Sequence, residues 1–387
     1  MRFRHRDGST VHLAYCTNVH PAETVGGIVA QLDTVARRVR ERLGVATLGV
    51  GLWVAAPACA ELLDRPDALA AVRGALRRGG LEVVTLNGFP YRAFHSPVVK
   101  HAVYRPDWTE PERLDYTRDL AWLLALLLPD DVAEGSISTL PLGWRDGWTR
   151  TSSRVARDAL ARLAEDLARL ADATGRRIRV ALEPEPGCVV ETAAQAAEAL
   201  AGLDHGWIGV CLDACHLAVG FEDPVAAVAA VRGAGLDVVK AQLSNALRVP
   251  DAADRALSAT LDEFAEPRFL HQTRRRDAEG EVEGVDDLGV ALAGGLPAGG
   301  EWRIHFHLPV HAGGERTTQS ELEATIPALL DGPAPVTRHL EVETYTWEVL
   351  PPERRPADGD GLAAGLAAEL AWARDRIVDA GLVAVAA

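Results

Sequence analysis

The sequence predicts a (β/α)8 barrel, a ring of parallel strands wrapped by helices. Three observations carry this. Short strand-like runs alternate with longer helix-like runs from residue 11 onward, the order that builds parallel sheets. Several strand runs carry one apolar and one polar face. In HLEVETY, Leu340, Val342 and Thr344 alternate with His339, Glu341, Glu343 and Tyr345. In VHLAYCTN, Val11, Leu13 and Tyr15 alternate with His12, Cys16 and Asn18. A strand in an open parallel sheet is covered by helices on both sides and reads apolar on both. A polar second face fits a barrel lumen. Finally, no linker divides the 387 residues, so residues 1–387 read as one barrel domain.

The strand candidates, in order, are VHLAYCTN (11–18), LGVGLWV (48–54), LEVVTLN (81–87), SISTLPL (136–142), IRVALEP (178–184), IGVCLD (208–213), VVKAQLS (238–244), RIHFHLP (303–309) and HLEVETYTW (339–347). Between them lie helical runs such as SRVARDALARLAEDLARLADATG and DPVAAVAAVRGAG, joined by Gly, Pro, Asp and Ser clusters. Nine candidates exceed eight strands by one, so RIHFHLP or a neighbour belongs to a loop or an extra hairpin. Residues 251–300 are the least regular stretch, with mixed charge clusters and the Gly-rich ALAGGLPAGG. They read as an insertion after strand seven at the C-terminal mouth. The last helix, GLAAGLAAELAWARDRIVDAGL, closes the ring.

Composition narrows the function classes. The formal net charge is −15, which argues against a nucleic-acid partner, since phosphates need a basic face. It fits a protein that handles small neutral molecules or uses carboxylates to hold a cation. The five cysteines are scattered and odd in number, so no disulfide framework is implied. MRFRHRDGST has no apolar run of the signal-peptide kind. LAWLLALLL, from Leu120 to Leu128, is too short to span a bilayer and reads as a buried helix. A cytoplasmic location is expected.

Active sites of such barrels lie at the C-terminal ends of the strands. Glu183, Asp213 and Glu343 occupy the same relative place in three strands. Three converging carboxylates repel one another unless protons or a cation intervene. A divalent metal, Mn, Mg or Zn, removes that difficulty. His12 and His339 read instead as surface or core histidines. Glu185, flanked by Pro184 and Pro186, reads as a solvated mouth residue. Cys211 and Cys215 read as small buried hydrophobes. FLHQT is expected to pack over the mouth near Glu343 with His271 facing the pocket, whereas Arg274, Arg275 and Arg276 read as solvated.

The segments GVCLDACHLAVGFED, ALEPEP and LEVETYTW resemble the xylose isomerase-like barrels. These include sugar isomerases, epimerases and abasic-site endonucleases. The resemblance implies metal ligands at Asp213, Glu183 and Glu343, with His216 either binding metal or orienting neighbours. A resemblance covering nearly the whole chain, through HLAYCTNVHPAE, TLNGFPYRAFH, VYRPDW, SISTLPLGW, QLSNAL, FLHQT and HFHLPV, is to EboE-type metabolite-traffic proteins. That branch is associated with clusters that process or export secondary metabolites, and implies a small-molecule metabolite and a membrane-protein partner. One departure matters. Many relatives carry a His ligand at the end of strand seven, where this chain has Gln242. A neutral, weaker ligand favours one hard metal over a multi-zinc centre.

The expected metal set is therefore Glu183, Asp213, Gln242 and Glu343. Glu183, Glu343 and His216 are the candidate catalytic groups. Asn18, Asn87, His271, His305 and His307 are the candidate substrate contacts. The leading expectation is a metal-dependent isomerase or epimerase acting on a sugar-like hydroxy-carbonyl compound. Alternatives are a metal-dependent phosphoester hydrolase and a non-catalytic metabolite carrier. Fold alone does not choose among them.

Overall fold

The computed structural model describes residues 1–254, 256 and 259–385. Eight parallel strands form the ring: β1 (Thr10–Cys16), β2 (Leu48–Trp53), β3 (Leu81–Glu82 continuing as Thr85–Asn87), β4 (Glu134–Thr139), β5 (Arg177–Leu182), β6 (Ile208–Asp213), β7 (Val238–Leu243) and β8 (His339–Val342). β1 pairs with β2 through Ala14 and Gly49, and with β8 through Leu13 and Leu340. The sheet therefore has no open edge within the ring, and the (β/α)8 barrel is the observed fold.

The helices follow from local sequence. Arg150–Thr174 starts at a capping box, with the Thr149 hydroxyl accepting from Ser152 N, and ends at Gly175 with φ +68°. Leu160, Leu163, Leu167 and Leu170 repeat at helical spacing and are all buried. Proline opens Pro66–Gly79, Pro111–Leu127 and Pro224–Gly233, where its missing N–H has no helical partner to lose. LAWLLALLL lies mainly on the second of these. Trp122 and Leu126 are exposed, and its other apolar residues are buried or nearly so. Among the described residues, no helix is long and apolar enough to cross a membrane.

The ninth strand candidate lies outside the ring. Glu301–Leu308 pairs antiparallel with Asn245–Val249 and Thr273–Arg276, and the latter pairs with Val282–Val285. This four-stranded sheet is built from the long excursion between β7 and β8. Its alternation has the same period of two as a lumen strand. His305 and His307 face the barrel mouth, while Phe306 packs on Phe264 with ring centroids 5.1 Å apart. The lumen is polar well below the mouth. Gly51 makes room for Glu341, because a Cβ at that position would fall 1.3 Å from Glu341 Oε1. His12 and His339 sit at the opposite end, where His339 Nδ1 lies 2.7 Å from Ser136 Oγ.

Candidate metal centre

The turn after β6 shows how backbone geometry sets the first ligand. Asp213 Oδ1 accepts from His216 N at 3.0 Å, capping the short helix Ala214–Val219, and from Ser244 Oγ at 2.6 Å. Its other oxygen, Oδ2, is buried without a hydrogen-bond partner. Glu183, one residue past β5, likewise has a buried, unpartnered Oε2. Glu343, one residue past β8, accepts from Asn18 Nδ2 at 2.7 Å and Asn87 Nδ2 at 2.9 Å, both on Oε1.

Glu183, Asp213 and Glu343 can each offer an oxygen within 4.8 Å of the others, and all three are buried. Burial first, then the Asp213 charge, pushes the Glu183 carboxyl up to about 7. The same effects, burial and then the Glu183 charge, push Glu343 well above the usual carboxylate range. Buried polar atoms are normally satisfied, so unpartnered carboxylate oxygens converging at one point fit a divalent cation. Gln242 is also buried, with neither amide atom partnered, and pairs in register with Asp213 and Glu341. Its oxygen is a hard donor of the same class.

Three histidines adjoin this set. His216 Nδ1 lies 2.9 Å from Pro184 O, His307 Nδ1 2.8 Å from Glu343 O and His305 Nδ1 2.7 Å from Gln272 Oε1. Those oxygens only accept, so each Nδ1 carries a proton, and each ring presents a lone pair at Nε2 when neutral. His305 Nε2 stands 3.1 Å from both His216 Nε2 and His307 Nε2. Such a convergence requires a shared proton or a cation. Burial opposes charge on His216, but Asp213, Glu185 and Glu183 outweigh it and raise its pKa. Burial lowers His307 to about 4 and His305 well below the ordinary range. Asp213, His216 and His307 form a second group with donors within 4.8 Å of one another, as do Glu185, His216 and His305.

The expected substrate contacts separate on inspection. Asn18, Asn87, His305 and His307 line one pocket, open to solvent on one side, with Glu183, Glu343 and His216. Asn87 is committed to Glu343 and to the turn, since its Oδ1 accepts from Phe89 N. Asn18 Oδ1 is unpartnered. His271 is the exception. Its Nδ1 lies 2.9 Å from His305 O and its Nε2 2.9 Å from Glu266 Oε1, within the excursion and away from the pocket. Successive residues of an extended segment point oppositely, so Gln272, not His271, reaches the pocket-lining Glu185 and His305 side chains.

Glu185 is not a solvated mouth residue. It is buried, accepts from Tyr104 Oη at 2.7 Å and Gln272 Nε2 at 3.1 Å, and burial raises its pKa. Arg274 is buried too and pairs with Glu191. Sequence reasoning also missed Lys240, whose Nζ lies 2.6 Å from Glu341 Oε2. A lysine inside the apolar run VVKAQLS, two residues before Gln242 and on its face, was the available signal. Ser244, in the same run, was missed as the partner of Asp213.

Comparison with known proteins agrees with this architecture. The chain is similar to D-allulose 3-epimerase from Methylomonas sp. (13% identity, 97% of this chain and 100% of that one, TM-score 0.52). It is similar to a xylose isomerase-like TIM barrel protein from Mycobacterium smegmatis in complex with magnesium (15%, 95% and 98%, TM-score 0.52). It is also similar to the probable 3-DHS dehydratase AsbF from Bacillus anthracis (14%, 92% and 97%, TM-score 0.50). At such identities these likenesses speak to the fold. No curated protein matches the chain. The model of the xylose isomerase-like TIM barrel family matches residues 41–262, more than half of the sequence. The chain belongs to the xylose isomerase-like TIM barrel family.

Proposed function

We propose that this protein is a divalent-metal-dependent isomerase or epimerase acting on a sugar-like hydroxy-carbonyl compound. The observation that carries the reading is the convergence of Glu183, Asp213 and Glu343, which offer oxygens within 4.8 Å of one another; Glu183 Oε2 and Asp213 Oδ2 are unpartnered, and Glu183 and Glu343 line a pocket. The epimerase and magnesium-bound proteins of the same fold support it. Glu183, Asp213, Glu343 and the Gln242 amide oxygen would hold the metal. Bound there, the metal supplies Lewis-acid polarisation of a carbonyl oxygen.

The chain's own residues supply the rest. Glu183 and Glu343 line the pocket and are the groups placed to take and return a proton at the carbon beside a carbonyl. Asn18 and Asn87 orient Glu343. His307, held by the Glu343 carbonyl, and His216, held by the Pro184 carbonyl, are placed to bind substrate hydroxyls. Phe94, Phe269 and Tyr345 pack against one another with centroids 4.9–5.3 Å apart beside this floor, which limits water. Water exclusion suits proton transfer better than hydrolysis.

The resemblance to EboE-type proteins supports a role in processing or exporting secondary metabolites, in the cytoplasm and beside a membrane-protein partner. A second reading, metal-dependent phosphoester hydrolysis, draws on one observation. Asp213, His216 and His307 form a nitrogen-rich donor set adjoining the carboxylates, of the kind zinc prefers. The test is exchange in D2O. Metal-loaded protein incubated with a panel of hydroxy-ketones, from ketoses to 2-hydroxyacetophenone, should wash deuterium into the carbon beside the carbonyl of at least one, read by NMR. Hydrolysis of an aryl phosphate without any exchange would favour the second reading.

A further inference from the structure

The pocket has two chemically distinct halves. Its floor comes from strand ends and from His305 and His307. The opposite side comes from loops. Phe89 and Phe94 with Val103 follow β3, Phe269 and Leu270 belong to the excursion, and Tyr345 follows β8. The two long loops are tied together, since Val99 N and Lys100 N both donate to Arg268 O at 2.7 and 2.9 Å. Phe94 and Phe269 stack across that join with centroids 5.1 Å apart.

Polar groups on this side are few. Tyr104 donates to Glu185, Lys100 Nζ lies 2.5 Å from Asp287 at the pocket's edge, and Tyr345 Oη stands 3.5 Å from His305 Nε2, next to the floor. A polyhydroxylated chain reaching from the floor would set most of its far hydroxyls against the rings and aliphatic carbons of Phe89, Phe94, Val103, Phe269 and Leu270. A site that leaves a buried polar group unpaired rejects it strongly.

We propose that the ligand of this site pairs a metal-chelating hydroxy-ketone head with an apolar, ring-sized substituent rather than a further run of hydroxyls. The proposal rests on the metal-dependent reading above for the head group, and on the loops alone for the substituent. The floor would hold the two oxygens of the head, and Phe89, Phe94, Val103, Phe269 and Leu270 would cover the substituent.

Calorimetry on the full-length, Mn2+-loaded protein tests it with 2-hydroxyacetophenone, dihydroxyacetone and D-fructose. The aryl hydroxy-ketone should bind at least about tenfold tighter than the other two, because burying a ring against apolar walls adds affinity that hydroxyls cannot. Phe269→Leu should shrink that gap severalfold, and Val103→Thr, which sets a hydroxyl into the wall, should shrink it further. Mn2+ affinity should stay unchanged in both variants. Equal or tighter binding of D-fructose or dihydroxyacetone overturns the proposal, as does an undiminished gap in both variants. A wild-type protein that takes up no Mn2+ overturns the metal-dependent reading instead. The ring preference is then read on metal-free protein, where 2-hydroxyacetophenone must still bind and lose affinity in Val103→Thr, and absence of binding overturns it.

Discussion

Lys240 and Glu341 form an ion pair of 2.6 Å inside the barrel lumen, with neither side chain exposed to solvent. Lys240 Nζ also donates to Leu86 O at 3.2 Å. Burial opposes charge on Lys240, but Glu341 outweighs it and raises its pKa. Removing one partner leaves the other charged and buried. Lys240→Met should therefore destabilise by about 3–5 kcal/mol, read by urea denaturation. Lys240→Met combined with Glu341→Leu should recover most of that loss. A double variant as unstable as the single would show that the pair does not act as a unit.

Asp213→Asn should cost more metal affinity than His216→Ala. Asp213 brings a charge and an unpartnered oxygen to the carboxylate group. His216 adjoins that group through its ring. Mn2+ titration should show a loss above about 100-fold for the first and about 10-fold for the second, the range typical of groups that orient a ligand. The reverse order would make His216 the primary ligand.

Metal uptake should depend on pH through Glu183. Its carboxyl is pushed up to about 7 in the folded protein, so below that pH a proton competes with the cation. Mn2+ affinity should rise as pH climbs toward about 7 and level off above it. Metal-free stability should move oppositely. A carboxyl whose folded pKa is raised binds more protons folded than unfolded, so stability is full below about 4.5 and lost as pH rises through about 7. Glu369, also pushed to about 7 by burial, contributes to the same slope. The Glu183 share is the difference between wild type and Glu183→Gln, on the order of 3 kcal/mol. Thermal melts from pH 4 to 8, with and without Mn2+, check both signs.

His271→Ala should lower stability rather than ligand affinity. The ring is buried and bonded at both nitrogens to Glu266 and the His305 carbonyl. Losing it strands the Glu266 carboxylate, at about 1–3 kcal/mol. Gln272→Ala should instead weaken ligand binding, because Gln272 links Glu185 to His305. Paired melts and calorimetry separate the two.

The barrel was legible because strand ends announce themselves. Glu183, Asp213 and Glu343 occupy equivalent places on three apolar runs, and only a closed ring lets those places meet. RIHFHLP could not be assigned by pattern, since a half-buried antiparallel strand and a lumen strand share a period of two. His271 was expected to face the pocket but bonds to Glu266 and the His305 carbonyl instead, because one residue of register reverses the face of an extended segment. Glu185 was hidden by its neighbours. Its partners Tyr104 and Gln272 stand 81 and 87 residues away in sequence, and no local signal links them to it.

The four-stranded sheet between β7 and β8 delivers His305, His307 and Gln272 to the mouth from one contiguous stretch of chain. The carboxylates come from strands that also hold the ring closed. A grafting experiment can therefore exchange residues 245–308 as a cassette, changing which molecule the pocket admits while the cation-holding acids stay on their original strands. The cassette and the acid-bearing strands meet at the Leu243–Ser244 exit from the barrel, where Ser244 grips Asp213, while the loop after β3 completes the pocket wall from its own stretch of chain.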